Sequence, residues 1–224
     1  MNMEALKQYE KLNTGTSPTK NEDFDRDGYL VIKNLYDVNE LFCEPPKKKG
    51  QYTYYGRTDR FDYIPIENQV KGSTSRYSWP LYKYAHSQIR LKLENLIGRK
   101  LYNTYYYDRF YNPGQDLKIH TDRPSCEISV TVHVSSNIKD SWPIWIKTPD
   151  ILEKKGENRS VILLPGDGMV YKGCERPHWR NKMPGRKRNI IRKMMRQEEL
   201  YYHQIFFHYV IADGLRASYA FDNQ

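Results

Sequence analysis

Of the six histidines in the chain, His86, His120, His133, His178, His203 and His208, one is followed two residues on by a carboxylate, in His120-Thr121-Asp122. On an extended backbone, positions i and i+2 project to the same side. One imidazole nitrogen and one carboxylate oxygen can therefore converge on a single cation. A second histidine from another strand would complete a two-histidine, one-carboxylate facial triad, a donor set suited to non-haem Fe(II) with open positions for oxygen. His178, 56 residues after Asp122 and beyond the Pro165-Gly166-Asp167-Gly168 turn, is the candidate. By itself a His-x-Asp triplet is a weak signal, because the same side chains also serve as ordinary hydrogen-bonded polar groups. Spacing alone leaves both readings open.

Positioning such donors is work for strands, and the second half of the chain reads as strands. Tyr102–Tyr111 ends at the Asn112-Pro113-Gly114 turn, and Leu117–His120 is short. Glu127–Val134 alternates strictly, with Ile128, Val130, Val132 and Val134 on one face and Ser129, Thr131 and His133 on the other. Trp142–Lys147, Ser160–Leu164, Met169–Tyr171 and Gln204–Val210 follow. Upstream, residues 4–12 fit a short helix, 13–27 a polar linker, and Gly28–Leu35 a first strand. Residues 44–78 read as loops with one or two short strands near a substrate entrance. A helix follows, with Ser78 as N-cap, Pro80 in the first turn, Ala85, Ile89, Leu93 and Leu96/Ile97 at helical spacing, and Gly98 as the stop. Many short strands separated by turns predict a mainly β (α+β) domain. It is an antiparallel sandwich or barrel with supporting N-terminal helices and a pocket at one mouth.

Composition bounds the rest. The 224 residues hold 36 basic and 27 acidic side chains, a net charge of +9. Eight of the basic residues and no acid lie between Arg180 and Arg196, so the excess is local. A solvated basic face is the ordinary reading of such a run; beside an active-site mouth it could recruit an acidic substrate. Twenty tyrosines could stack bases, or serve as strand and core-edge residues. No apolar run approaches the ~18 residues of a spanning helix, and the first residues lack a signal-peptide pattern. Three dispersed cysteines, Cys43, Cys126 and Cys174, offer no CxxC pair. The expectation is a cytoplasmic protein without a disulfide framework.

The run from Tyr111-Asn-Pro-Gly-Gln through His120-Thr-Asp122-Arg-Pro-Ser-Cys-Glu-Ile-Ser-Val-Thr-Val resembles the core of the Fe(II)/2-oxoglutarate-dependent oxygenases. So do Leu164-Pro-Gly-Asp-Gly-Met-Val-Tyr-Lys-Gly-Cys-Glu-Arg-Pro-His178-Trp-Arg and the closing Gln204-Ile-Phe-Phe-His-Tyr-Val. Within that superfamily the chain looks most similar to the prolyl-4-hydroxylase-like branch of bacterial and phage proteins. The resemblance implies a double-stranded β-helix, or jelly roll, over 28–224, after an N-terminal helix and linker over 1–27. It implies His120, Asp122 and His178 as Fe(II) ligands, 2-oxoglutarate and O2 as co-substrates, and ascorbate as reductant. It places Tyr111 near 2-oxoglutarate. The basic residue that usually meets the far carboxylate, about ten positions after the distal histidine, is displaced here by a basic, weakly helical insert over 181–199. The inward position on the last strand falls on Tyr202 or His203; His203 is the choice, with Arg180 and Arg188 as rivals.

Other residues carry two readings. His133 points into the barrel toward 2-oxoglutarate or is a satisfied core histidine, whereas His208 reads as structural and His86 as surface. Trp179, next to a ligand histidine, either packs or walls the iron pocket. Tyr54 and Tyr55, with Tyr52, Phe61 and Tyr63, would line an aromatic groove for an extended peptide. The resemblance therefore implies hydroxylation of a C–H bond of a protein residue such as proline. The alternatives are a nucleobase or small metabolite, with nucleic acid disfavoured as a partner, or a non-catalytic jelly-roll binding module.

Overall fold

The computed structural model describes residues 21–152, 154–186 and 198–221. The helix expected over 4–12 and residues 187–197 of the basic insert lie outside the described residues. Among the described residues three α-helices and twelve strands follow in chain order: α1 (Glu22–Asp27), β1 (Tyr29–Ile32), α2 (Val38–Leu41), β2 (Gly50–Tyr54), β3 (Phe61–Ile64), β4 (Thr74–Tyr77), α3 (Lys83–Ile97), β5 (Leu101–Tyr111), β6 (Leu117–His120), β7 (Ile128–Ser136), β8 (Ile144–Lys147), β9 (Asn158–Val161), β10 (Gly168–Lys172), β11 (His178–Arg180) and β12 (Tyr202–Ile211).

The strands form two sheets. The larger has the order β1-β10-β7-β12-β5-β4-β2-β3, and the smaller β6-β11-β8-β9. From β5 onward the chain passes between them, so that β5, β7, β10 and β12 interleave in one layer and β6, β8, β9 and β11 in the other. This is the expected jelly roll. All pairings are antiparallel except β2 with β4.

The alternation read from the sequence sorts the two faces of the large sheet. Ile128, Val130 and Val132 of β7, with Ile205, Phe207 and Tyr209 of β12, pack against Ile89 and Leu93 of α3. Each fully buried aliphatic side chain contributes roughly 1.5–3 kcal/mol. The opposite residues, Ser129, Thr131 and His133, face the second sheet, as do Tyr107, Arg109 and Tyr111 of β5. The helix stops where predicted: Gly98 takes the left-handed conformation (φ 67°), and its N–H donates to the Glu94 carbonyl. It starts later than predicted. Ser78 has φ 55° and caps nothing, and a 3-10 turn over Pro80–Tyr82 precedes α3. Residues 44–78 hold three strands, which widen the large sheet beyond the barrel. His86, expected at the surface, is buried with its Nε2 3.0 Å from the His208 carbonyl, because the helix seats it on β12.

Candidate metal centre and its cavity

The antiparallel register of β6 and β11 sets His120 directly opposite His178, and their ring centroids lie 4.3 Å apart. Asp122, in the turn after β6, completes the group. Its Oδ1 is 3.6 Å from His120 Nε2 and 3.5 Å from His178 Nε2. All three donor atoms lie within 4.8 Å of one another. Ligands ~2 Å from one ion at right angles stand about 3 Å apart, so a slight contraction around a cation suffices.

Backbone and hydroxyl partners orient these donors. His120 Nδ1 is 2.8 Å from the Lys118 carbonyl and His178 Nδ1 is 3.0 Å from the Arg176 carbonyl. A carbonyl only accepts, so each Nδ1 carries the proton and each Nε2 presents a lone pair, the arrangement of metal-binding imidazoles. Ser129 Oγ donates to Asp122 Oδ2 at 2.7 Å. Burial pushes the Asp122 carboxyl up, but His120 and His178 beside it outweigh that and hold it well below the usual carboxylate range. Burial pushes His178 down despite Asp122, which keeps the imidazole neutral and able to ligate. The turn after β10 lies against this carboxylate: a Cβ on Gly173 would stand 2.5 Å from Asp122 Oδ2 and 2.6 Å from Ser129 Oγ.

Deeper in the barrel is a second constellation. Arg180 is two residues beyond His178 on the same face of β11 and is 1% exposed. Its Nη1 donates to the Trp142 carbonyl at 2.6 Å, while Nε and Nη2 have no hydrogen-bond partner. The guanidinium lies 4.5 Å from the Trp142 ring centroid and 4.8 Å from that of Tyr202. Tyr111, fully buried, meets Trp142 edge-on at 4.9 Å. His133 stacks on Tyr202 at 4.1 Å and donates from Nδ1 to the Leu163 carbonyl; its Nε2 is unpartnered. Burial lowers the His133 pKa to about 4. A buried cation with unpaired donors is costly, and a carboxylate is the complementary group.

The remaining predicted residues lie elsewhere. His203 stands opposite Phe110 in the β5–β12 register and stacks on it at 3.9 Å. Its Nε2 is 2.9 Å from Asp108 Oδ2, which Arg76 and Tyr82 also engage. It belongs to the helix-facing side of the sheet, one residue out of phase with the barrel lumen. Trp179 alternates with His178 and Arg180, so it points outward and stacks on Trp145 at 6.0 Å; it does not wall the triad. Tyr54 is buried against Trp79 and Phe61, on the face of β2 opposite that of Gln51 and Thr53. Tyr55 is exposed at the strand end and bonds Asp62. Neither Tyr54 nor Tyr55 lines the cavity at the triad, because strand phase turns these rings away. Arg188 lies outside the described residues.

A cavity of about 600 Å³ opens onto the triad. Gln51, Thr53, Asn68, Gln69, Tyr77 and Tyr107 contribute to its wall, with His120, Asp122 and His208 at the inner end. The loop that carries Glu67 and Gln69 is tied down by Arg109, whose Nη2 donates to both side chains at 2.8 Å. Sequence reading missed Ser129, Gly173, Arg109 and Glu67. Only Ser129 left a signal, its place on the inward face of β7.

No protein-family model matches the chain, and no curated protein matches it in sequence. Solved structures do match. A prolyl-4-hydroxylase from Pseudomonas putida is 13% identical with TM-score 0.50, over 84% of this chain and 95% of that one. EctD from S. alaskensis, solved with 2-oxoglutarate and 5-hydroxyectoine, is 13% identical with TM-score 0.55, over 89% and 78%. A 2OG-Fe(II) oxygenase family oxidoreductase from Burkholderia pseudomallei is 9% identical with TM-score 0.52, over 89% and 96%. Strand interleaving and these likenesses agree that the chain has the fold of the 2-oxoglutarate–Fe(II) oxygenases.

Proposed function

We propose that this protein is an Fe(II)- and 2-oxoglutarate-dependent dioxygenase that hydroxylates a C–H bond, its oxygenase unit running over residues 28–224. The observation that carries the reading is the convergence of His120 Nε2, His178 Nε2 and Asp122 Oδ1 at the mouth of a jelly roll. When bound, iron and 2-oxoglutarate supply the oxidising chemistry, with O2 as oxidant and ascorbate as the reductant that keeps the metal ferrous. The protein's own share is to hold the donors, exclude water and place the substrate.

Arg180 is the residue we assign to the far carboxylate of 2-oxoglutarate, in place of His203. Its two unpaired guanidinium nitrogens, walled by Trp142, Tyr202, Tyr111 and His133, provide charge-assisted donors in a dry site. His203 is already committed to Asp108.

For the prime substrate, a protein residue such as proline is the reading that the sequence resemblance favours. A specific observation favours the other reading, a small metabolite with polar groups: Gln51, Thr53, Asn68 and Gln69 line the cavity beside Tyr77, Tyr105 and Tyr107, while the aromatic cluster of β2 and β3 faces away.

The test is direct. Protein supplied with Fe(II), ascorbate and 2-oxoglutarate releases succinate slowly without prime substrate, and His120→Ala or His178→Ala lowers this at least 100-fold. Undiminished succinate release by both variants contradicts the reading and leaves a non-catalytic binding module.

A further inference from the structure

His208, two strand positions beyond Phe206 and 2% exposed, faces the lumen at the inner end of the cavity. Its Nδ1 lies 3.0 Å from Ser129 Oγ. The Ser129 hydroxyl has one proton, and the 2.7 Å contact with Asp122 Oδ2 takes it, since an ionised carboxylate only accepts. Ser129 Oγ must then accept from His208 Nδ1, which fixes the tautomer: Nδ1 carries the proton and Nε2 is bare. That Nε2 is buried and has no hydrogen-bond partner. Tyr105 lies against the ring, with centroids 4.6 Å apart and planes inclined by 31°. Leaving such an acceptor unpaired is costly, and a donor arriving in the cavity would offset that cost.

We propose that His208 is a substrate-contacting residue whose Nε2 accepts a hydrogen bond from the prime substrate, so that the substrate is a small molecule carrying an N–H or O–H group close to the C–H bond that is oxidised. The inference rests on the oxygenase reading and deepens it. The amides and hydroxyls of Gln51, Thr53, Asn68 and Gln69 supply further partners at the outer end. The His208–Ser129–Asp122 chain also couples the acceptor to the metal ligand. The donor is thereby registered against the reaction centre rather than against a loop. A site built to satisfy a buried polar group discriminates strongly against analogues that lack the matching donor.

The test does not need the true substrate. In 15N-labelled protein loaded with Zn(II), a diamagnetic substitute for iron, and saturated with 2-oxoglutarate, long-range 1H–15N spectra read each imidazole nitrogen. The signal lost in His208→Phe identifies the residue. The expected result is a protonated Nδ1 and a bare Nε2. Formamide, which carries N–H donors, should shift the Nε2 resonance upfield in a saturable way; N,N-dimethylformamide, which has none, should leave it in place. A protonated Nε2, or an Nε2 that formamide does not move or that both probes move alike, overturns the proposal. Succinate release by the Fe(II) protein is scored separately. Its absence removes the oxygenase reading whatever the spectra show, and its presence with an unresponsive Nε2 removes only the role of His208.

Discussion

At the scale of the residue, two buried charged groups have opposite fates. Arg76 is fully matched, held by Asp108 with Cys43 and Tyr82 around it. Arg180 is half-matched, with two guanidinium nitrogens unpaired in a box of aromatic rings. The first pattern is structural and the second is that of a binding residue, since hydrogen bonds to a charged partner are worth about 1.5–3 kcal/mol each. Arg180→Met, which keeps the length and loses the donors, should weaken 2-oxoglutarate binding by at least tenfold in anaerobic calorimetry while zinc binding persists. His203→Gln should leave that affinity within about twofold. Equal losses in the two variants would return the assignment to His203.

The same residues explain what sequence could and could not tell. His120, Asp122 and His178 were legible because two are joined by strand spacing and the third follows a recognisable turn. The residue we assign to the far carboxylate, Arg180, was named only as a rival. A count of ten from His178 runs into the 181–199 insert, and the phase of β12 then slips, placing Tyr202 rather than His203 opposite Tyr111. Tyr54 was named for its type and Trp179 for its place beside His178, yet each sits one position out of phase with a cavity-facing or ligand residue, and alternation alone does not say which face is inside. His86 lay among apolar helix positions, and its burial depends on a β12 carbonyl that no local pattern reveals.

At the scale of the element, the fold works by bringing turns together. The β10–β11 turn must lie against the turn after β6, because the Asp122 N–H donates to the Gly173 carbonyl at 2.9 Å and the space above Gly173 holds Asp122 and Ser129. A methyl group there displaces the carboxylate or the turn. Support of this kind is typically worth 10–100-fold in metal affinity. Gly173→Ala should therefore weaken Zn(II) binding at least tenfold by calorimetry, with the large sheet still folded by circular dichroism. Wild-type zinc affinity in that variant would show that the approach of the two turns is not needed. Most strands from β5 to β12, by contrast, were legible as elements, since alternation and turns are local features; their interleaving between two sheets was what the family resemblance implied. Within residues 44–78 one or two short strands were expected and three are present, because Pro45, Pro46 and the lysine run give so short a segment an irregular pattern.

At the scale of the whole molecule, burial of imidazoles makes stability depend on pH. Burial lowers His86 to about 3 and His133 and His208 to about 4. In the unfolded chain each titrates near ~6.5. Between those values the unfolded state binds more protons than the folded one, so stability is fully present above the unfolded value and is lost as pH falls. The slope for three such groups approaches about 4 kcal/mol per pH unit near pH 5. His120, whose pKa is raised by Asp122 against its burial, contributes a slope of opposite sign above that window, its stabilisation being lost as pH rises. Denaturant unfolding of metal-free protein should therefore show stability falling steeply from pH 6.5 to 4.5. A flat profile over that range would mean that these rings are solvated in the folded protein.

One measurement tests the central claim most directly: a crystal structure grown anaerobically with Fe(II) and 2-oxoglutarate, with iron located by its anomalous signal. The account predicts a single ion about 2.2 Å from His120 Nε2, His178 Nε2 and Asp122 Oδ1, with the far carboxylate of 2-oxoglutarate on Arg180. Iron bound instead at Cys43, Asp108 and His203 or at Asp122, Cys126 and His208, the two further clusters of possible ligands among the described residues, or iron that lacks any one of the three predicted donors, would contradict it.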